Sequence, residues 1–236
     1  MELKVIARIH TDFREKFGLP RQSGLIPQLR GKIVFEPEYR SAEALRGLEG
    51  FSHIWLIWEF SLARREGWSP TVRPPRLGGN VRKGVFATRS PYRPNPLGLS
   101  CVRLEKIETE GSEGPVLYVS GVDMTDGTPV YDIKPYLPFA DSVPEAAGGF
   151  TDEVRDKDIA VDIPAEKAAQ LSGEELALLT AVLAHDPRPG YQEDRERIYG
   201  LDVADIRVRF RVEDGRAVVT EISRTRRENG RDEEKV

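Results

Sequence analysis

The segment Phe51-Ser-His-Ile-Trp-Leu-Ile-Trp-Glu-Phe60 is the longest apolar stretch in the chain of 236 residues. Its aromatic and branched side chains predict a buried strand. Pro- and Gly-rich segments, which suit neither a helix nor a central strand, separate several further short strands. Together these features predict a closed or nearly closed β-barrel. The further strands are predicted at residues 3–9, 83–88, 99–107, 115–122 and 130–134, and Ser41 is predicted to cap a short helix up to residue 48.

A second unit is predicted after this barrel. Ala146-Ala-Gly-Gly149 has the composition of a linker, and Ser172-Gly-Glu-Glu175 forms a capping box that starts an amphipathic helix. Alternation over residues 157–163 and 206–212 predicts strands, and Asp214-Gly215 predicts a hairpin turn into residues 217–222. We therefore expect a mainly β chain, α+β overall. Its parts are a single-sheet β-barrel domain over 1–142, a smaller α+β domain over 150–223 and a disordered charged tail over 224–236.

The charge of the chain is distributed unevenly. Its net charge is −4, yet the stretch from Gly67 to Leu104 contains seven basic residues and no acidic one. A basic stretch within an acidic protein predicts a local anion site. The chain has one cysteine, so it can form no intrachain disulfide. Because it also shows neither a signal-peptide start nor a membrane-length apolar run, we expect a soluble, cytoplasmic protein without a membrane partner.

Several kinds of site are excluded by pattern. The three histidines and one cysteine have no metal-ligand spacing, so we expect no metal. The chain has no Gly-x-Gly-x-x-Gly after a strand, no phosphate-binding P-loop and no Gly-x-Ser-x-Gly elbow. Composition and spacing alone therefore indicate no cofactor.

Three rigid, polar segments stand out instead. The first is Pro20-Arg-Gln-Ser-Gly24, and the second, from Phe86 to Gly98, carries Arg89 and Arg93 on a loop stiffened by three prolines. Proline lowers the entropy lost on ordering a loop, which favours pre-positioned polar groups. The third, Asp123 to Tyr136, is rich in ionisable groups. Its Asp126-Gly-Thr-Pro129 portion is equally compatible with a turn that has no chemistry, and the Trp55 and Trp58 pair is better explained as core.

These segments belong to a set of motifs that resembles the TrmO-type tRNA methyltransferases. The resemblance runs in register from about residue 6 to 139, and it resumes at Ala184-His-Asp-Pro-Arg-Pro-Gly-Tyr191 and the arginine-rich strand after Asp205. The motifs that carry it are Lys16-Phe-Gly-Leu-Pro-Arg-Gln-Ser-Gly24, Arg46-Gly-Leu-Glu-Gly-Phe-Ser-His-Ile-Trp55, Thr71-Val-Arg-Pro-Pro-Arg-Leu-Gly-Gly-Asn80, Gly84-Val-Phe-Ala-Thr-Arg-Ser90, Arg93-Pro-Asn-Pro-Leu-Gly98 and Asp126-Gly-Thr-Pro-Val-Tyr-Asp-Ile-Lys-Pro-Tyr136.

The resemblance implies an enzyme that binds S-adenosylmethionine on a single-sheet barrel without a Rossmann fold, as a homodimer. It implies methyl transfer to N6 of threonylcarbamoyladenosine, next to the anticodon of threonine tRNA. Ser23 and Leu99 replace the proline and methionine of some relatives, and Arg64-Arg-Glu-Gly67 matches no pattern. The implied cofactor contacts are Gln22, Ser23, Gly24, Arg89, Leu99 and the turn residues Asp126, Gly127, Thr128, Pro129 and Val130.

Two further sets of residues are expected to act on the RNA. Methyl transfer to nitrogen needs positioning and a route for the departing proton, for which Asp126, Asp132 and Tyr136 are candidates in that order. Cations on two surfaces are expected to contact tRNA phosphates: Arg73, Arg76, Arg82, Lys83, Arg93, Arg188, Arg207 and Arg209. Two alternatives stay open: a methyltransferase of this fold with a different nucleoside substrate, and a cofactor- or RNA-binding module without catalysis.

Overall fold

The computed structural model describes residues 2–63, 67–77, 80–152, 158–188 and 194–225. Its larger unit is a closed antiparallel barrel of six strands, in the order β1-β2-β7-β6-β3-β8. A small hairpin, β4 (Thr71–Val72) with β5 (Lys83–Gly84), lies outside the barrel. The barrel strands are β1 (Ala7–Thr11), β2 (Arg30–Phe35), β3 (His53–Glu59), β6 (Leu97–Glu108), β7 (Val116–Ser120) and β8 (Thr128–Pro135).

Strand β3 shows why this sequence closes into a barrel. Ile54, Leu56 and Trp58 are buried inside, whereas the alternate residues Trp55 and Ile57 are half-buried on the outer face. Successive side chains of a strand point to opposite faces, so the alternation fixes the register of β3 between β6 and β8. The predicted buried strand and barrel are confirmed, and closure leaves the barrel no free edge.

Three of the connections between barrel strands lie at the same end of the barrel. At this end β1, β3 and β7 finish and β2, β6 and β8 begin, as their antiparallel pairing requires. The connections over residues 12–29, 60–96 and 121–127 therefore emerge together, and we call this the loop end. The opposite end, where β3 begins and β8 finishes, has Tyr136 just beyond it.

The smaller unit is a four-stranded sheet with the order β10-β11-β12-β9. Its strands are β9 (Ala160–Asp162), β10 (Tyr199–Val203), β11 (Ile206–Glu213) and β12 (Arg216–Arg224). A short helix, α1 (Pro138–Asp141), follows the barrel. The helices of the smaller unit are α2 (Ala165–Ala168) and α3 (Gly173–Ala184). The capping box of α3 is confirmed, because Ser172 Oγ accepts the Glu175 N–H at 3.3 Å and Glu175 accepts the Ser172 N–H at 2.8 Å. No helix in the described ranges is long and apolar enough to cross a membrane.

The smaller unit packs on the segment that leaves β1. The Phe17 and Tyr199 rings stack with centroids 6.4 Å apart, and the Ala204 N–H donates to the Asp12 carbonyl at 2.9 Å. Gly18 has φ +90°, and a Cβ there would lie 2.1 Å from a Leu201 methyl group. Both units share one hydrophobic core, so the segment that runs into Gln22 is held between them.

Some predicted elements are wrong. Only Lys83–Gly84 of the predicted strand 83–88 pairs as a strand, because Val85–Ala87 turns into a 3-10 helix. The predicted helix after Ser41 is a single 3-10 turn, Ala42–Leu45, without a side-chain cap. Strands β2 and β10 were not predicted, and β1 begins at Ala7 rather than at residue 3. Arg224, assigned above to the tail, ends β12, while residues 226–236 lie outside the described ranges.

Candidate active site

The loop end brings the predicted cofactor residues to one side of the molecule. Gln22, Ser23 and Gly24 lie in the connection after β1, and Arg89 lies in the connection after β3. Leu99 is the third residue of β6, Asp126 and Gly127 precede β8, and residues 128–130 begin that strand. Residues separated by up to about a hundred positions in sequence thus converge because the barrel strands all start or finish here.

The segment at Gly24 is fixed by backbone contacts. The Gly24 N–H donates to the Gly121 carbonyl at 2.8 Å, and the Gly121 N–H donates to the Leu29 carbonyl at 2.8 Å. Both glycines have positive φ, +79° and +74°, which disfavours other residues. A Cβ on Gly121 would stand 3.2 Å from Gly24 Cα. The close approach therefore ties the Gln22–Gly24 segment to the residues that follow β7.

Arg89 reaches across to the same segment. Its Nη1 donates to Oε1 of Gln22. The loop that carries Arg89 is internally bonded, since Thr88 Oγ1 donates to the Val85 carbonyl at 2.8 Å and Arg93 Nη1 donates to the Thr88 carbonyl at 3.2 Å. Arg89 itself is exposed. An exposed guanidinium on a braced loop is suited to an anionic group of a ligand.

A buried polar chain lies beneath these residues. Trp58 Nε1 donates to Ser100 Oγ at 2.9 Å, and Ser100 Oγ donates to Asp123 Oδ1 at 2.6 Å. Ser100 is fully buried. Burial raises the pKa of Asp123 to about 6, against the opposing effects of hydrogen bonds from Ser100 and from the backbone N–H groups of Asp123 and Ser23, and of the charge of Arg89.

Leu99 and Asp132 share the outer face of the barrel. Ile57 of β3 pairs with Leu99 on one side and with Asp132 on the other. The three residues form one row across adjacent strands, which places the Cα atoms of Leu99 and Asp132 about 10 Å apart. Leu99 is 55% exposed. The row combines an open apolar contact with a carboxylate, whose Oδ2 lies 3.2 Å from Lys134 Nζ.

Asp126 braces its own turn against β1. Its Oδ1 accepts the Thr11 N–H at 3.1 Å and lies 3.1 Å from His10 Nδ1, while its own N–H donates to the Phe13 carbonyl at 2.7 Å. Thr128 Oγ1 closes the turn on the Thr125 carbonyl at 2.7 Å. Thr128, Pro129 and Val130 are buried and Gly127 is half-buried, so Asp126 is the exposed residue among these five.

The three catalytic candidates are not brought together. Asp126 lies at the loop end, Asp132 partway along the outer face, and Tyr136 beyond the opposite end. Strand β8 has eight residues, so Asp126 and Tyr136 are separated by roughly 25 Å. Tyr136 packs instead between His53 and Trp55, with ring centroids at 6.3 and 5.9 Å. One reacting nitrogen cannot contact all three side chains in one subunit.

The predicted tRNA cations differ in their surroundings. Arg73 is exposed, Arg82 donates to Thr71 Oγ1 at 2.8 Å, and Lys83 is half-buried over the Phe150 ring at 5.3 Å. The side chain of Arg76 and residues 64–66 lie outside the described part of the chain.

The C-terminal arginines have acidic neighbours. Arg188 donates twice to the Asp186 carboxylate, each time at 2.8 Å. Arg207 makes the same kind of pair with Asp202, at 2.8 and 2.6 Å. Arg209 lies 3.7 Å from Glu221. These carboxylates reduce the net positive charge around the arginines of the smaller unit, compared with the loop that carries Arg73 and Arg82.

Sequence reasoning missed the importance of Asp123, Ser100 and Trp58. By pattern, Asp123 is one of several ionisable residues in its segment, and Trp58 is assigned to the core. Neither feature predicts the hydrogen bonds that join these residues, because a serine at an inward position of β6 gives no sequence signal of the carboxyl group that it contacts. In the described ranges, no group of three or more His, Cys, Asp or Glu residues could hold a metal ion.

Comparison with known proteins identifies the family. The model for the tRNA-methyltransferase O (TrmO) N-terminal domain matches residues 8–142, and that for the TrmO C-terminal domain matches residues 156–225. The chain is 42% identical over 221 residues to tRNA (adenine(37)-N6)-methyltransferase of Escherichia coli K12, covering 90% of this chain and 94% of the relative. It is 44% identical over 213 residues to a putative S-adenosylmethionine-dependent methyltransferase, RcsF, of Pseudomonas aeruginosa, covering 87% and 90%.

A solved structure extends the match to the fold. The crystal structure of TrmO from Pseudomonas aeruginosa superposes with a TM-score of 0.75 at 35% identity, covering 94% of this chain and 98% of that one. The family models, the relatives and the structure agree over both units. The chain therefore belongs to the TrmO family of tRNA methyltransferases.

Proposed function

We propose that this protein transfers a methyl group from S-adenosylmethionine to N6 of threonylcarbamoyladenosine next to the anticodon of threonine tRNA, in the cytoplasm. The observation that carries the cofactor assignment is the convergence of Gln22, Arg89, Leu99 and Asp123 at the loop end. The name of the relative in Escherichia coli supports the adenine nitrogen of tRNA as the acceptor. The threonylcarbamoyl group rests on the resemblance of the motifs.

The residues present fit this cofactor. S-adenosylmethionine carries a carboxylate, an ammonium and a sulfonium, together with an apolar adenine face. Arg89 offers an exposed guanidinium for the carboxylate, and Asp123 lies beneath this part of the site, hydrogen-bonded to Ser100. Leu99, exposed on the barrel wall, offers an apolar contact. When bound, the cofactor supplies an electrophilic methyl group.

The residues of the chain then have to orient the acceptor and receive its proton. Asp132 is the carboxylate that shares a row with Leu99, which favours it over Asp126 and Tyr136 as the proton acceptor. A hydrogen bond from the acceptor N–H to Asp132 would raise the nucleophilicity of the nitrogen as the proton leaves. Lys134 Nζ lies 3.2 Å from Asp132 Oδ2, so a positive charge stands beside the proposed proton acceptor.

The tRNA is proposed to lie over the loop end, on Arg73, Arg82, Lys83 and Arg93. This assignment is supported by the absence of acidic residues between Gly67 and Leu104. The arginines of the smaller unit are proposed as a secondary contact, because their neighbouring carboxylates offset part of their charge. Phosphate contacts by either set should make affinity fall with salt, by nearly one log-log slope unit per contact.

The activity is tested by analysing the nucleosides of tRNA. We expect the purified protein with S-adenosylmethionine to add one methyl group to threonylcarbamoyladenosine in threonine tRNA, detected by mass spectrometry of the digested RNA. Threonine tRNA that lacks the threonylcarbamoyl group should remain unmethylated. Methylation of the unmodified tRNA, or of a different nucleoside, would point to the alternative substrate. Cofactor binding without methylation of any tRNA would support the binding module.

We also propose a homodimer with the cofactor near the subunit boundary. Trp68 and Phe86 are exposed side by side at the loop end, with ring centroids 6.1 Å apart, and Leu62 is exposed on the same connection. Contiguous exposed apolar groups favour an interface. Sedimentation should show a dimer at micromolar concentration, and Phe86→Ser, which alters an exposed side chain, should shift it towards monomer. A stable wild-type monomer at that concentration would contradict the dimer.

A further inference from the structure

A chain of buried hydrogen bonds ends at the carboxylate of Asp123. It starts at Trp58 Nε1, passes through the fully buried Ser100 hydroxyl and ends at a carboxylate under the predicted cofactor segment. Gly98 is packed under Trp58, since a Cβ there would lie 2.2 Å from the indole ring. The Ser100 hydroxyl therefore has a fixed donor on one side and directs its own proton to Asp123 on the other.

Two parts of the predicted cofactor site act on this carboxylate. The Ser23 backbone N–H stabilises the ionised form, and so does the Arg89 guanidinium. Ser23 lies between Gln22, which accepts a hydrogen bond from Arg89, and Gly24, which is tied to Gly121. Asp123 follows Gly121 by two residues, so its carboxylate belongs to the chain segment that is tied to Gly24, close in sequence to the Gln22 that accepts from Arg89.

We infer that Asp123, as an ionised carboxylate, is the positioning residue that holds the Gln22–Gly24 segment and Arg89 in their cofactor-binding arrangement. It is assigned this role for the proposed cofactor, so the inference rests on the proposed function. Protonation removes the attraction for Arg89 and weakens the acceptor for the Ser23 N–H. Cofactor affinity consequently depends on pH through a group that lies outside the predicted contacts.

The charge is kept at a cost to folding. The pKa of Asp123 is raised to about 6, so between about pH 4 and pH 6 the folded protein holds a proton that the unfolded chain has released. This group therefore makes the protein less stable as pH rises through that window. Cofactor binding favours the ionised form and should strengthen with rising pH over the same window. A carboxylate with a purely structural role would not produce opposite pH trends of protein stability and cofactor affinity.

Arg89 is the charged group that acts on Asp123. The other groups along this hydrogen-bond chain do not titrate in this range: Ser100, the Ser23 backbone and Trp58. Another ionisable side chain at the loop end is His10, whose Nδ1 lies 3.1 Å from Asp126 Oδ1. Its effect is separable, because His10 contacts the turn before β8 and not the segment at Gln22.

The experiment is calorimetric titration of the full-length protein with S-adenosylmethionine between pH 5 and pH 8. We expect the wild-type Kd to weaken about tenfold from pH 7.5 to pH 5, as linkage to one raised pKa allows. Asp123→Asn should bind about tenfold more weakly at pH 7.5 and show little pH dependence. His10→Gln should retain the wild-type dependence. Thermal unfolding should show the Tm of wild type falling relative to that of Asp123→Asn as pH rises from 4.5 to 7.

A second measurement needs no variant. At pH 6, repeating the wild-type titration in buffers of different ionisation enthalpy should reveal release of a fraction of a proton on cofactor binding. Wild-type binding without proton release and with a flat pH profile would overturn the role of Asp123 and leave the proposed function intact. Loss of the pH dependence in His10→Gln would assign the titration to His10 instead. Failure of the wild type to bind the cofactor at any pH would contradict the proposed function itself.

Discussion

Asp132→Asn is expected to slow single-turnover methyl transfer by about a hundredfold at saturating cofactor and tRNA, with both affinities retained. The substrate nitrogen lies between a purine and a carbamoyl group, so its N–H is more acidic than that of adenine and a carboxylate can accept the proton. General-base catalysis is typically worth about 10²–10⁴ in rate. Asparagine keeps the shape and retains an oxygen for the Ile133 N–H, which Asp132 Oδ1 accepts at 2.9 Å.

Asp126→Asn is the matched comparison. The Asp126 side chain already accepts the Thr11 N–H, and the amide oxygen of asparagine can replace it, so we expect the rate to stay within a few-fold of wild type. A hundredfold loss in Asp126→Asn with a normal rate in Asp132→Asn would reverse the assignment. Near-wild-type rates in both variants would show that positioning drives the reaction and that water takes the proton.

Arg89→Ala is expected to weaken S-adenosylmethionine binding by at least tenfold, measured by calorimetry at pH 7.5. Wild-type binding is expected in the micromolar range, on the order of 8 kcal/mol, and a tenfold loss is about 1.4 kcal/mol. The reason is the loss of the exposed guanidinium and of its hydrogen bond to Gln22, which faces it across the site. Arg89 is exposed, so replacing it with alanine should leave the protein folded.

Arg73→Ala is the control for this variant. Arg73 lies in the same acid-free stretch as Arg89 but directly after β4, in the small hairpin. Its loss should leave cofactor affinity unchanged. It should lower tRNA affinity and reduce the slope of log affinity against log salt by about one unit. Equal cofactor affinity in wild type and Arg89→Ala would remove Arg89 from the cofactor site. Equal loss in both variants would indicate a general effect of charge on the loop end.

Local patterns were reliable where one face of an element is buried. The aromatic and branched residues of 51–60 and the alternation in residues 206–212 predicted strands that the structure confirms, and the Ser172-Gly-Glu-Glu175 capping box begins α3. Patterns failed where a tertiary contact decides the conformation. Residues 85–87 have the composition of a strand, but the Val85 N–H bonds to the Pro70 carbonyl and the chain turns into a 3-10 helix at that point.

The sequence by itself determined the family resemblance and the barrel class, and it predicted a second unit and the segments proposed to carry the site. Short motifs of glycine, proline and charged residues are local in the chain, so their identity can be recognised without coordinates. Only the tertiary structure decided which of those residues meet. Barrel closure brings the connections of six strands to one end, which joins Arg89 to Gln22 and separates Asp126 from Tyr136. It also buries Ser100 against Asp123, and the resulting loss of hydration, which no sequence pattern records, raises the pKa of that carboxyl group to about 6.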